Sequence, residues 1–133
     1  MKSDFDIKVE WFGKAASDKV LKAALKGLKH GGRAVAGESQ KLAPELSGTL
    51  KRSICVTEGG TPDLEEVFET AKTKKPSLNG KQGDELAVYV SANTPYAHKQ
   101  HEQNRNHAKF LERGLQSVSD RIPQLVEKEL KKL

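Results

Sequence analysis

Cysteine is almost missing from this chain. Cys55 stands alone, so no internal disulfide can form and a multi-cysteine metal knuckle is excluded. Aromatic residues are nearly as scarce, at 5%: Trp11, Tyr89, Tyr96 and four phenylalanines. No run approaches the roughly 20 apolar residues that a membrane-spanning helix needs. The opening MKSDFDIKVEWF alternates charged and apolar residues where a secretory leader has an apolar block. These shortages argue against a disulfide-stapled secreted scaffold and a helical membrane protein, and the expectation is synthesis in the cytoplasm. With 133 residues there is room for one core, so a single domain over 1–133 is expected. Hydrophobic residues are 35% of the chain against 31% charged, a thin apolar supply. The isolated subunit should therefore be modestly stable, and association should help it.

Catalytic and cofactor patterns are also missing. The glycines at 31–32, 59–60, 80 and 83 form neither a phosphate loop nor a dinucleotide-binding turn. His98, His101, Glu102 and His107 make the densest polar cluster, and His and Glu at helical spacing do bind zinc. Here His98-Lys99-Gln100-His101-Glu102 matches neither zinc-helix pattern, so surface or interface polarity is the plainer reading. Asp63, Glu65, Glu66 and Glu69 lack the alternating oxygen ligands of a calcium loop and read as a solvated helix face. Cys55, between Ile54 and Val56, reads as a small packed side chain. No cofactor, no metal and no enzymatic activity are expected.

What is present is periodicity. Phe5, Ile7, Val9 and Trp11 alternate with Asp6, Lys8 and Glu10, which predicts a half-buried strand or an arm reaching a neighbouring subunit. Residues 17–42 predict a long helix whose stripe holds Val20, Leu21, Ala24, Leu25, Leu28, Val35 and Leu42. Ser17 or Asp18 suits its cap, and Pro44 cannot continue it. Gly27, Gly31 and Gly32 inside it imply either a bend or close approach of another backbone. Residues 50–57 and 86–91 predict strands, and 61–72 a short helix capped by Thr61. Residues 73–85 lack apolar periodicity and read as a mobile loop, within a flexible excursion over 58–85. The polar stretch from Tyr96 to His107 reads as irregular. From Phe110 to Leu133 the spacing is helical again, with Pro123 imposing a kink near 119–122 unless Ser119 caps a separate terminal helix. The plan is α+β: a small antiparallel sheet with a long N-terminal and a long C-terminal helix packed on one face.

Net charge is +5, which favours anionic partners, although solubility alone explains it. On the first helix Lys19, Lys22, Lys26, Lys29 and Arg33 share one sector, opposite the apolar stripe. Such a row suits a phosphate backbone or an acidic neighbour. No aromatic is interleaved, so stacking on single-stranded bases is not supported. A small basic DNA-binding protein using this face is the alternative function.

The segment Ala43-Pro44-Glu45-Leu46-Ser47-Gly48-Thr49-Leu50-Lys51-Arg52-Ser53-Ile54 resembles the A-P-x-x-T/S-G-x-L-x-x-S-I signature of the gene-product-ten family of bacteriophage neck proteins. These are known as head–tail joining, tail-completion or minor capsid proteins. Tyr96-Ala97 followed by Glu102 resembles the family's Y-A-x-x-x-E segment, and Lys109-Phe110-Leu111-Glu112 resembles its entry into the C-terminal helix. The order and spacing of all three agree across most of 17–133. Gln103 and Lys109 stand where the family often has Gly and Pro, and His101-Glu102 with Phe110-Leu111-Glu112 leans toward the minor capsid branch. The resemblance implies a structural virion protein made in the host cytoplasm. It implies a homo-oligomeric ring at the head–tail junction of a phage or prophage, with connector, head-closure or tail proteins as partners and genomic DNA passing through. Pro44, Gly48, Leu50, Ser53, Ile54, Tyr96, Ala97, Glu102, Phe110 and Leu111 are then the motif positions. In physical terms Pro44 stops a helix, Gly48 permits a tight turn, and Leu50 and Ile54 return apolar groups to the sheet.

Overall fold

A computed structural model describes residues 6–10, 18–44, 48–73, 79–103 and 109–133. Strand β1 (Asp6–Glu10) precedes the long helix α1 (Asp18–Leu42), the one-turn helix α2 (Thr49–Arg52) and strand β2 (Ile54–Glu58). Helix α3 (Leu64–Lys72), β3 (Gly80–Lys81), β4 (Ala87–Ala92), α4 (Ala97–Gln103), α5 (Phe110–Val118) and α6 (Ile122–Leu130) follow. The expected α+β class holds.

The sheet runs β1-β4-β2-β3. Its pairings β1–β4 and β4–β2 are antiparallel, with Ile7 opposite Val90 and Val56 opposite Val90 from the other side. The N-terminal strand thus pairs within its own chain. At the far edge β3 adds a parallel pairing, Thr57 with Gly80 and Glu58 with Lys81, so the sheet is mixed beyond its antiparallel centre. This strand lies inside the predicted 73–85 loop. A gain of main-chain hydrogen bonds, with no apolar side chain involved, leaves no periodicity to read.

Period two divides β2 and β4 into two faces. Ile54, Val56, Val88, Val90 and Ala92 join Leu28 and Val35 of α1 in the main core, with Phe110, Leu111 and Val118 of α5 and Val126 of α6. Phe110 is wholly buried, a change worth roughly 1.5–3 kcal/mol for a side chain of this kind. The intervening Cys55, Thr57, Tyr89 and Ser91 are also buried, on the opposite face.

Helix α1 is the axis of the molecule, packing against β2 and β4 and against α5 and α6. Its glycines mark close approaches. A Cβ on Gly27 would sit 2.4 Å from the Val126 Cα of α6, and one on Gly32 would sit 3.0 Å from Val56 and Val88 of the sheet. Gly114 of α5 presses likewise on Ser39 of α1. Of the two readings of the α1 glycines, the structure supports close packing, and α1 continues unbroken through Gly31–Gly32.

Three local expectations are corrected. Residues 49–52 form a helical turn and the strand begins only at Ile54, because Ser53 Oγ donates back to the Leu50 carbonyl (2.7 Å) and closes that turn. Helix α3 starts at Leu64, capped by Asp63, whose carboxylate accepts from the Glu66 amide at 3.0 Å in place of Thr61. The start of the polar stretch expected to be irregular is helical as α4, which buries Ala97 and His101 four residues apart. At the C-terminus the chain breaks into α5 and α6, with Pro123 in the first turn of α6. Ser119 closes α5 and does not cap α6, whose N-cap is Arg121. Ser17 lies outside the described residues; Asp18 stands in the first turn of α1. Among the described residues no helix is long and apolar enough to cross a membrane.

Candidate functional site: the motif junction and the basic groove

The motif segments, far apart in sequence, meet beside the start of β2 and the end of β4. Gly48 opens α2 with φ +82°, a left-handed conformation that glycine adopts without steric cost. Pro44, Leu50, Ser53 and Ile54 are buried around it. Ser53 is the hinge pin: its Oγ accepts from the Asn93 amide (3.1 Å), and its carbonyl accepts from the Asn93 side-chain Nδ2 at 2.9 Å. Asn93 Nδ2 also donates to the Ser91 carbonyl (3.1 Å) and lies 3.2 Å from Cys55 Sγ. Cys55 Sγ sits 3.7 Å from Ser91 Oγ in this sealed interior, the packed setting expected of it.

Three residues beyond Asn93, Tyr96 hydrogen-bonds the Thr49 side chain and meets the Phe68 ring edge-on at 6.2 Å. Burial raises the Tyr96 phenol above its ordinary value, while the Thr49 hydrogen bond and the nearby Arg52 charge pull the other way. Arg52 Nε in turn donates to the Ala71 carbonyl of α3 at 2.8 Å. Ala97 is buried at the start of α4. At its end the exposed Glu102 is paired with Lys109, and its carboxyl is held below the ordinary range by the Lys109 and His101 hydrogen bonds. His101 packs its ring edge-on to Phe110 at 5.1 Å, and burial pushes its pKa down. Phe110 and Leu111 run into the core. The motif therefore ties α2, α3, β2, β4, α4 and α5 together.

The polar cluster His98, His101, Glu102 and His107, read from the sequence as surface or interface polarity, lies only partly within the described residues. Residue His107 and the His98 side chain lie outside the described residues, and His101 is turned against Phe110. Among the described residues no group of three His, Cys, Asp or Glu could hold a metal ion. Asp63 serves as a helix cap, and Glu65 and Glu66 are exposed on α3.

The five cations of α1 do line one side of the molecule, but neighbours answer two of them. Lys29 Nζ reaches Glu58 of β2 at 2.9 Å, and Lys26 Nζ lies 3.7 Å from Glu129 of α6. Buried Glu129 is also within 3.5 Å of His30 and accepts from Lys132 at 3.1 Å. The Lys132 hydrogen bond leads in holding this carboxyl below its usual value, with Lys26 and His30 adding to it. Lys19, Lys22 and Arg33 are exposed and have no ionic partner among the described residues. Between α1 and residues 79–86 runs a groove formed by adjoining depressions. Lys22, Leu25, Lys29 and Arg33 of α1 line it with Lys81, and the carboxylates of Asp18, Glu58, Asp84 and Glu85 line it as well, Asp84 lying 3.5 Å from Lys81 Nζ.

Asn93, Thr49, Glu58, Lys81 and Glu129 escaped the sequence reading. The contacts of Asn93 with Ser53, Glu58 with Lys29 and Glu129 with Lys26 and His30 run between elements, so no local spacing announces them, whereas Lys81–Asp84 and Lys132–Glu129 are pairs three residues apart. Only Ala97 and His101, four apart, carried a helical signal.

The family described as "Bacteriophage HK97-gp10, putative tail-component" matches residues 5–114. No curated protein and no solved structure matches the chain. The matched span takes in β1, the α1 axis, the whole sheet, all three motif segments and most of α5. The protein belongs to the HK97-gp10-like family of bacteriophage tail components.

Proposed function

We propose that this chain is a subunit of an oligomeric ring in the phage neck, joining the connector to the tail, and that it acts as a structural part without catalysis. The observation that carries this reading is the use made of the motif residues. Ser53, Tyr96, Phe110 and Leu111 are spent on holding elements together, and among the described residues none is set beside a nucleophile, base and oxyanion donor in an open cleft. Their arrangement suits a rigid block whose outer faces make the contacts. Connector, head-closure or tail proteins are the expected neighbours above and below, with the assembled copy in the virion.

Deleting the gene from a phage that carries it tests the proposal. The expected result is DNA-filled heads and complete tails that fail to join, with joining restored by the supplied protein. Joined, infectious particles without the protein would end this reading. A second reading, contact with the passing genome, is favoured by the exposed Lys19, Lys22 and Arg33. It predicts salt-dependent binding of duplex DNA, and its absence at low salt removes it.

A further inference from the structure

We propose that helix α6 is an exchangeable arm: on assembly it leaves the α1 of its own chain and docks on the α1 of a second copy. The proposal rests on the ring reading and names the contact by which one copy holds the next.

The seat of α6 is complete on one helix. Among the described residues α1 is the one element with which α6 packs extensively. The two run antiparallel, with Ile122 at Gly31 and the Val126 backbone at Gly27. Beside this seam, Lys26 and His30 of α1 approach the Glu129 carboxylate at 3.7 Å and 3.5 Å. Lys132, on the arm itself, donates to the same carboxylate at 3.1 Å. Val126 and Glu129 are the buried residues of α6. Recognition thus comes down to a backbone set in a glycine notch and an acid set between cations. Helix α5, which carries the arm, contributes to none of these contacts. The seat is therefore the same on every copy, and nothing in it requires the helix to come from its own chain. The occupant that matches both the notch and the cations is another α6.

The tether suits release. Helix α5 ends at Val118 and α6 starts at Ile122, and residues 119–121 between them are exposed. Ser119 (φ −54°, ψ −37°) and Arg121 (φ −86°, ψ −22°) already have right-handed helical backbone. Pro123 interrupts the run, because it cannot donate to the Ser119 carbonyl and its ring crowds that oxygen. Straightening the tether, with a kink kept at Pro123, therefore asks little of the backbone. It carries the nine residues of α6, about 13 Å of helix, away from the body. The family match ends at residue 114, so the whole arm lies beyond the matched span. Arm and seat are different surfaces, and an exchange between them passes from copy to copy until a rotation closes it into a ring.

Cross-complementation tests this in the full chain by sedimentation velocity. The parent should self-associate as concentration rises. Lys26→Glu with His30→Glu sets like charges across the α1–α6 contact, and Glu129→Lys does so from the other side. Each variant alone should associate at least about tenfold more weakly than the parent. An equimolar mixture should recover, because the reversed seat of one variant meets the reversed arm of the other and the two native faces meet as well. Within a single chain neither match exists, so arms that stay on their own α1 gain nothing from mixing. Two hinge variants leave both faces untouched. Pro123→Ala lets the helix run through and should raise association about tenfold, whereas a Gly-Ser-Gly insertion after Asp120 lets the arm fold back and should lower it. Circular dichroism checks folding, and the hinge pair decides if a charge variant misfolds. A parent monomeric at every concentration overturns the exchange, as do charge variants that associate like the parent, a mixture that does not recover, or hinge variants that associate alike. Any of these, with unjoined heads and tails still seen in the deletion phage, would remove the exchange and leave the neck assignment standing. Joined particles in the deletion phage alongside a recovering mixture would do the reverse.

Discussion

Adding one carbon at Gly27 should separate α1 from α6. Gly27→Ala places a Cβ 2.4 Å from Val126 Cα and 2.9 Å from both the Leu125 carbonyl oxygen and the Val126 nitrogen. All three are backbone atoms, so no rotamer change relieves the contact, and α6 must retreat by about 1 Å or more. Helix propensity favours Ala over Gly by about 1 kcal/mol. Overpacking of this kind typically costs about 1–3 kcal/mol, and the seam forfeits dispersion contacts as it opens. The balance is a net loss of up to about 2 kcal/mol. Gly37 supplies the matched control: it lies in the same helix, and nothing stands within 4 Å of its Cβ position. Gly37→Ala should therefore keep the full propensity gain of about 1 kcal/mol. For Gly31→Ala the three nearest atoms all belong to the Ile122 side chain, the first at 3.1 Å, and the variant should fall between them. Urea unfolding reads the series. With a slope of about 2 kcal/mol per molar, Gly37→Ala raises the midpoint by about 0.5 M and Gly27→Ala lowers it by up to about 1 M. Equal midpoints for Gly27→Ala and Gly37→Ala would refute the close-packed seam.

Three further outcomes follow from individual contacts. Asn93→Ala leaves the buried Ser53 and Ser91 carbonyls without their donor and should cost about 2–3 kcal/mol, again by urea midpoint; a loss below 0.5 kcal/mol, about the effect of an ordinary surface change, would mean that water replaces the amide. Burial depresses the His101 pKa below 6.5, so its contribution is complete above that value and fades as pH falls from there through the folded value. Stability should decline on acidification through this window, and an unchanged slope in His101→Gln would contradict that. The Glu129 carboxyl is held below 4.5, so its stabilisation is present above 4.5 and is lost as pH falls through the folded value. The stability difference between the parent and Glu129→Gln should shrink as pH drops through this range, and a constant difference would show that the charges of Lys132, Lys26 and His30 do not act on it.

The long helix was legible because its buried positions, Ala24, Leu28, Val35 and Ser39 among them, recur at helical spacing over 25 residues. Strand β4 was legible for the same kind of reason, a run of branched and aromatic residues. The segment after Gly48 misled because Leu50 and Ile54 are four apart, a spacing that suits both strand alternation and a helical turn. What decides between them is the Ser53 hydroxyl and its bond to Leu50. Strand β3 was illegible because its pairing is all main chain. The candidate surfaces divide in the same way. The α1 cations could be seen as a row, but their answering acids, Glu58 and Glu129, come from β2 and α6. The partners of Asn93 lie up to 40 residues away, beyond any local pattern.

The Ser53–Asn93 clamp bears on how the sheet finds its alignment during folding. Slipping β2 by one residue against β4 would turn Cys55 and Thr57 onto the α1 face and Ile54 and Val56 away from it, so patterning rejects that error. A slip of two residues keeps both faces correct, and hydrophobicity alone cannot detect it. It would, however, carry the Asn93 amide about 7 Å from the Ser53 carbonyl and strand a polar side chain in a sealed space. One asparagine thus proofreads the mistake that the apolar residues let pass, and every copy is delivered to assembly with the same outline.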